Sequence, residues 1–149
     1  MLLMNDYRPQ TTPPDPESPR QPVLFYDGTC GFCSRSVQWL LRHDHRGVLR
    51  FAPLQGATYA ALDAPHKPTD LDTMVLADAD GVHLRSDGSL RALKHVGGVW
   101  RMIGLIGLGI PRPLRDAVYM SIARRRHAIA GSADTCPLPT PQQRARFLP

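Results

Sequence analysis

The stretch Phe25-Tyr26-Asp27-Gly28-Thr29-Cys30-Gly31-Phe32-Cys33 constrains this chain more than any other. Pro22 to Tyr26 is a short apolar run with the length and β-rich makeup of a buried strand. Asp27-Gly28-Thr29 reads as a turn. From Cys30 the apolar spacing changes, and Phe32, Val37, Leu40 and Leu41 recur at helical intervals. A Cys-x-x-Cys therefore sits where a strand turns into a helix. At a helix start, unpaired backbone N–H groups and the positive end of the dipole favour a thiolate. Cys30 is expected in the first turn with its sulfur exposed. Cys33, three residues on, falls on the same face and within reach of it. Dithiol–disulfide exchange needs that geometry: Cys30, the more acidic thiol, attacks and Cys33 resolves. Asp27 fits two roles. It is either a turn or capping carboxylate, or a group that takes the proton of the resolving Cys33 thiol or tunes the pair.

The rest of the chain extends this beginning. Residues 1–22 carry six prolines, at 9, 13, 14, 16, 19 and 22, and read as a disordered or polyproline-like arm. The helix from Cys30 is expected to run to about Arg46, with Gly47 as its C′ stop. Val48 to Ala52 reads as a second strand, ended by Pro53. A strand–helix–strand unit of this length implies a right-handed crossover between parallel strands. Ala57 to Leu62 is a short helix and 64–68 a loop. Thr73 to Ala77 and Val82 to Arg85 are strands joined by the turn Asp78-Ala79-Asp80-Gly81. Ser86 or Ser89 is expected to cap a helix through about His95, stopped by Gly97-Gly98. An apolar helix, Val99 to Leu108, follows. Pro111 and Pro113 break the chain, and Pro113 is well placed as N1 of a last helix from Leu114 to about Ala128. From Gly131 onward the chain reads as loop. The order is β-α-β-(α)-β-β-α with a helical extension. This predicts one α/β domain over 23–148, with its core in 23–98 and the extension and C-terminal loop in 99–148.

Several of these motifs resemble a known family. Asp27-Gly-x-Cys30-x-x-Cys33 after an apolar strand is similar to the signature of the DCC family, thioredoxin-like thiol–disulfide oxidoreductases named for that Asp and two Cys. Arg50-Phe51-Ala52-Pro53-Leu54-Gln55 resembles the family's second strand. Asp116-Ala117-Val118-Tyr119, Cys136-Pro137-Leu138-Pro139-Thr140-Pro141 and Arg146-Phe147-Leu148 resemble its C-terminal half. The likeness runs from about Val23 to Leu148. It implies the thioredoxin-like fold: a four-stranded mixed sheet flanked by helices, in spatial order 4-3-1-2, with strand 3 antiparallel to the rest. Thioredoxin-like enzymes place a cis-proline just before strand 3, facing the cysteine pair. Here the nearest is Pro68, five residues before Thr73, and Asp72 precedes the strand directly, a departure from that device.

The same residues admit other readings. A Cys-x-x-Cys can be half of a zinc site, which needs two further ligands. His43 and His45 lie roughly 15–20 Å from Cys30 at ~1.5 Å per residue and could not close one. Cys136 reads as a buried loop cysteine or as an exchange partner of Cys30. The net charge of +5 permits nucleic-acid or acidic-surface contact without requiring it. Arg124-Arg125-Arg126 lacks interleaved aromatics, so a solvated helix end is the better reading and no nucleic acid is expected. Three cysteines are too few for a secreted disulfide scaffold, and the first seven residues lack the pattern of a signal peptide. No run approaches the ~20 apolar residues that span a bilayer. The expectation is a cytoplasmic monomer with no metal and no cofactor beyond the Cys30–Cys33 disulfide. Its partners would be a disulfide-containing protein or small thiol substrate and a reductant. The alternative is a non-catalytic interaction module on the same scaffold, using the apolar Val99–Ile110 segment as contact surface, with peripheral membrane contact open. The Cys-x-x-Cys at a strand–helix junction favours the oxidoreductase.

Overall fold

Strand register decides where the core lies. β1 (Val23–Tyr26) pairs parallel with β2 (Arg50–Pro53) and antiparallel with β3 (Val75–Asp78). β3 pairs antiparallel with β4 (Gly81–Leu84), giving the order β2-β1-β3-β4. This is the expected 4-3-1-2 sheet read from its other edge, with β3 antiparallel to the rest, and the fold is α/β and thioredoxin-like. The structure is a computed structural model and describes residues 21–63, 68, 73–130 and 140–149. Residues 1–20 of the expected arm and Cys136 lie outside the described residues. Gln21 and Pro22 are hydrogen-bonded to Arg50.

Because strand side chains alternate, the register stacks them into two rows. Leu24 sits between Phe51 and Leu76, and Phe25 between Ala52 and Val75. The first row packs against Val37, Leu40 and Leu41 of α1 (Gly31–His43) and Ala92 and Val96 of α3 (Arg85–Val96). The second packs against Leu54 and against Tyr59 of α2 (Ala57–Ala60). Each fully buried Leu, Phe or Val contributes about 1.5–3 kcal/mol.

Two helix ends differ from expectation. α1 stops at His43, three residues early, with the Asp44 N–H closing on the Leu40 carbonyl at 2.8 Å. The Asp44 carboxylate is drawn inward instead, accepting the Leu49 N–H at 2.9 Å and the Arg146 guanidinium. Gly47 takes its positive φ of 63° in the turn that follows. α3 has no side-chain cap. Ser86 donates to Asp116, and Ser89 Oγ to the Arg85 carbonyl at 3.1 Å.

α4 (Gly98–Leu108) lies on α3, and α5 (Arg112–Ala130) packs on α1 and α3. Gly104 permits the first contact: a Cβ there would stand 2.6 Å from the Leu90 carbonyl oxygen. Asp87 binds Arg112 and Arg115, and Tyr119 Oη accepts the Met74 N–H at 3.1 Å. A further helix, α6 (Pro141–Arg144), stands where a loop was expected, started by a capping box between Thr140 and Gln143. Beyond it the chain returns to the sheet. The Phe51 N–H reaches the Arg146 carbonyl at 2.9 Å, and the Leu148 N–H the Phe51 carbonyl at 2.8 Å, covering the edge of β2. Among the described residues no helix is long and apolar enough to cross a membrane.

Candidate active site at the start of the first helix

The turn between β1 and α1 is built on Asp27. Its Oδ1 accepts the Thr29 N–H at 2.9 Å and the Thr29 hydroxyl at 2.7 Å, a side chain folding its own backbone two residues on. The same oxygen accepts Gln55 Nε2 at 2.9 Å, while Gln55 Oε1 receives the Gly28 N–H at 3.4 Å. Gln55 arrives there because β2 is the parallel neighbour of β1, and the Leu54 N–H still pairs with the Tyr26 carbonyl at 2.9 Å. The Cys30 N–H closes the turn on the Asp27 carbonyl at 3.2 Å. The Ser34 N–H then opens the helix on the Cys30 carbonyl at 3.0 Å.

Cys30 and Cys33 are thiols, not joined in a disulfide. Cys30 is the N-cap residue, with extended backbone at φ −93° and ψ 119°, rather than a member of the first turn. Its expected exposure is corrected: 0% of Cys30 is exposed, against 6% of Cys33. β1 is an inner strand, so the chain leaving it is walled by neighbours on both sides before the helix begins. Cys33, one turn in, opens onto a cavity of about 570 Å³ bounded by α1, α3 and α5. Asp27, Phe32, Trp39, Met74 and Tyr119 also line it, and Arg35 adds a cation. Of the three candidate residues, Asp27 and Cys33 line the cavity and Cys30 does not.

The cavity wall before β3 is Thr73 and Met74. Pro68 is tied to the other face of the sheet, its carbonyl accepting the Tyr59 hydroxyl at 2.6 Å. Sequence reasoning missed Tyr119 and Thr73 as site residues and gave Gln55 no role. Tyr119 and Gln55 each close a quoted motif, and that was their only signal. His43 stacks on Trp39 at 4.1 Å between ring centroids. Among the described residues, no group of three or more His, Cys, Asp or Glu side chains could hold a metal ion.

Displaced carboxylates lie elsewhere. Burial pushes Asp78 upward, but hydrogen bonds from His95, the Asp80 N–H and His83 outweigh it and hold the carboxyl below its ordinary value. Both imidazoles approach within 3.0 Å. Burial likewise raises Asp87, and Arg115 and Arg112 bring it below the ordinary value.

A family model described as DCC1-like thiol-disulfide oxidoreductase matches residues 24–132. The chain is similar to the uncharacterized protein YuxK of Bacillus subtilis (strain 168). The two are 35% identical over 129 residues, covering 85% of this chain and 93% of the relative. It is also similar to a DCC family protein of Arabidopsis thaliana described as chloroplastic. That pair is 27% identical over 124 residues, covering 82% of this chain and 72% of the relative. No solved structure matches.

Proposed function

Since the chain belongs to the DCC1-like thiol–disulfide oxidoreductase family, we propose that it exchanges disulfides through Cys30 and Cys33. The Cys30 thiolate attacks one sulfur of a protein or small-molecule disulfide. The other substrate sulfur leaves as thiolate, and a mixed disulfide remains. Cys33 then attacks the Cys30 sulfur, expelling the second substrate thiol and leaving the Cys30–Cys33 disulfide. Two electrons pass to the substrate, and a separate dithiol reductant restores the pair. The N-cap position of Cys30 supports its role, since it stands where the first backbone N–H groups of the helix lack intrahelical partners. Asp27, on the cavity wall with Cys33, takes the proton of the resolving thiol.

One observation carries this reading: two thiols stand at the N-cap and one turn into α1, with the second opening onto a cavity that a carboxylate also lines. A second reading exchanges the two roles. It is favoured by Cys33, and not Cys30, lining that cavity. Mild oxidation, alkylation and mass spectrometry test the pair. Two protected thiols in the peptide holding Cys30 and Cys33 are expected, and two freely alkylated thiols would end the redox reading. Cys33→Ser should trap a mixed disulfide on Cys30. Trapping by Cys30→Ser instead would reverse the roles.

A further inference from the structure

The large apolar side chains that stand exposed among the described residues, nine in all, fall between Val99 and Ile122. They follow helical spacing. Val99, Ile103 and Ile106 form a stripe on α4, and Leu114, Val118 and Ile122 recur every fourth residue on α5. The opposite side of α4 is used up against α3, where Gly104 and Gly107 meet Leu90. An unpartnered apolar surface of this extent marks an interaction site.

Charge identifies the occupant. Residues 98–130 hold six arginines and one aspartate, a net +5. The whole chain, with 18 Lys and Arg against 13 Asp and Glu, also carries +5, so the rest balances to zero. Arg112 and Arg115 are paired with Asp87, and Arg101, Arg124 and Arg125 are exposed without that pairing. The lone Asp116 is engaged by Ser86. A second copy on this surface would bring two +5 segments together. We infer that α4 and α5 dock the protein on a membrane surface carrying anionic lipids. The apolar stripes enter the headgroup boundary and the arginines meet lipid phosphates. Neither helix spans the bilayer. Ile122 also lines the cavity of Cys33, so the docked face runs into the thiol site.

The test is flotation of the full chain with vesicles of phosphatidylcholine alone and of phosphatidylcholine mixed with phosphatidylglycerol. Binding to the mixed vesicles is expected to be about tenfold tighter or more, and to fall as salt rises. Ile106 is 67% exposed and Leu114 61%, so Ile106→Glu and Leu114→Glu should keep the wild-type thermal midpoint. Each should lose vesicle binding while leaving Cys30 and Cys33 oxidation unchanged. Arg124→Gln with Arg125→Gln should weaken binding to the mixed vesicles and flatten its salt dependence. Equal binding to both vesicles, or to neither, overturns the inference. So does a concentration-dependent dimer, abolished by Ile106→Glu, without vesicle binding; that result assigns the face to a second copy. A protein partner competing with no lipid binding would overturn it equally.

Discussion

Asp27 and Gln55 divide the work of the turn, and substitutions separate their parts. Asp27→Asn keeps an oxygen that can accept from Thr29 and Gln55, so urea unfolding should move by no more than about 1 kcal/mol. In the proposed mechanism it removes the proton acceptor, so the rate of disulfide reduction should fall by about a hundredfold. Gln55→Ala does the reverse, costing about 1 kcal/mol in urea with a smaller change in rate. Asp78 sets a pH dependence at the opposite end of β3. A carboxylate held below its unfolded value contributes stability that is present above that value and lost as pH falls through the folded one. The thermal midpoint should therefore drop below about pH 4, and Asp78→Asn should flatten the drop. Asp27, Cys30 and Cys33 were legible in sequence because strand, turn and helix start are local. The pairing of Gln55 with Asp27 and of His83 with Asp78 is set by strand register, and that of His95 with Asp78 by the packing of α3 on the sheet, neither of which local spacing reports.

At the scale of elements, periodicity located each strand and the longer helices but misjudged their ends. Ser86 has the makeup of an N-cap, yet α3 begins one residue before it with Leu84 at the N-cap, so the helix has no side-chain cap and the Ser86 hydroxyl goes to Asp116 of α5. Asp44 leaves the helical path for Leu49 and Arg146 in the same way. α6 was hidden by prolines that suggested loop, although Thr140 and Gln143 carry the spacing of a capping box. The seat of α4 on α3 offers a direct check. At Gly104 an added Cβ would meet backbone on both sides, 2.6 Å from the Leu90 oxygen and 2.9 Å from the Lys94 nitrogen. Gly104→Ala should lower stability by about 1–3 kcal/mol in urea unfolding, the cost of forcing packed elements apart.

Across the whole molecule, the parallel β1–β2 pair was legible from its strand–helix–strand length, and the full sheet order from the family likeness. The return of Arg146 to Leu148 was not, because nothing near those residues names β2 as their partner. Arg146 reaches the Leu49 carbonyl across 97 residues at 3.1 Å and neutralises Asp44, whose side chain is fully buried. Arg146→Ala leaves that carboxylate buried and unpaired, and should cost about 3–5 kcal/mol in urea unfolding. The distance along the chain has a further meaning for biosynthesis. A ribosome delivers β2 long before it delivers Phe147, and chains grow at about 5–20 residues per second. For several seconds the nascent protein therefore shows a bare strand edge, the kind of surface on which neighbouring chains aggregate and to which chaperones bind.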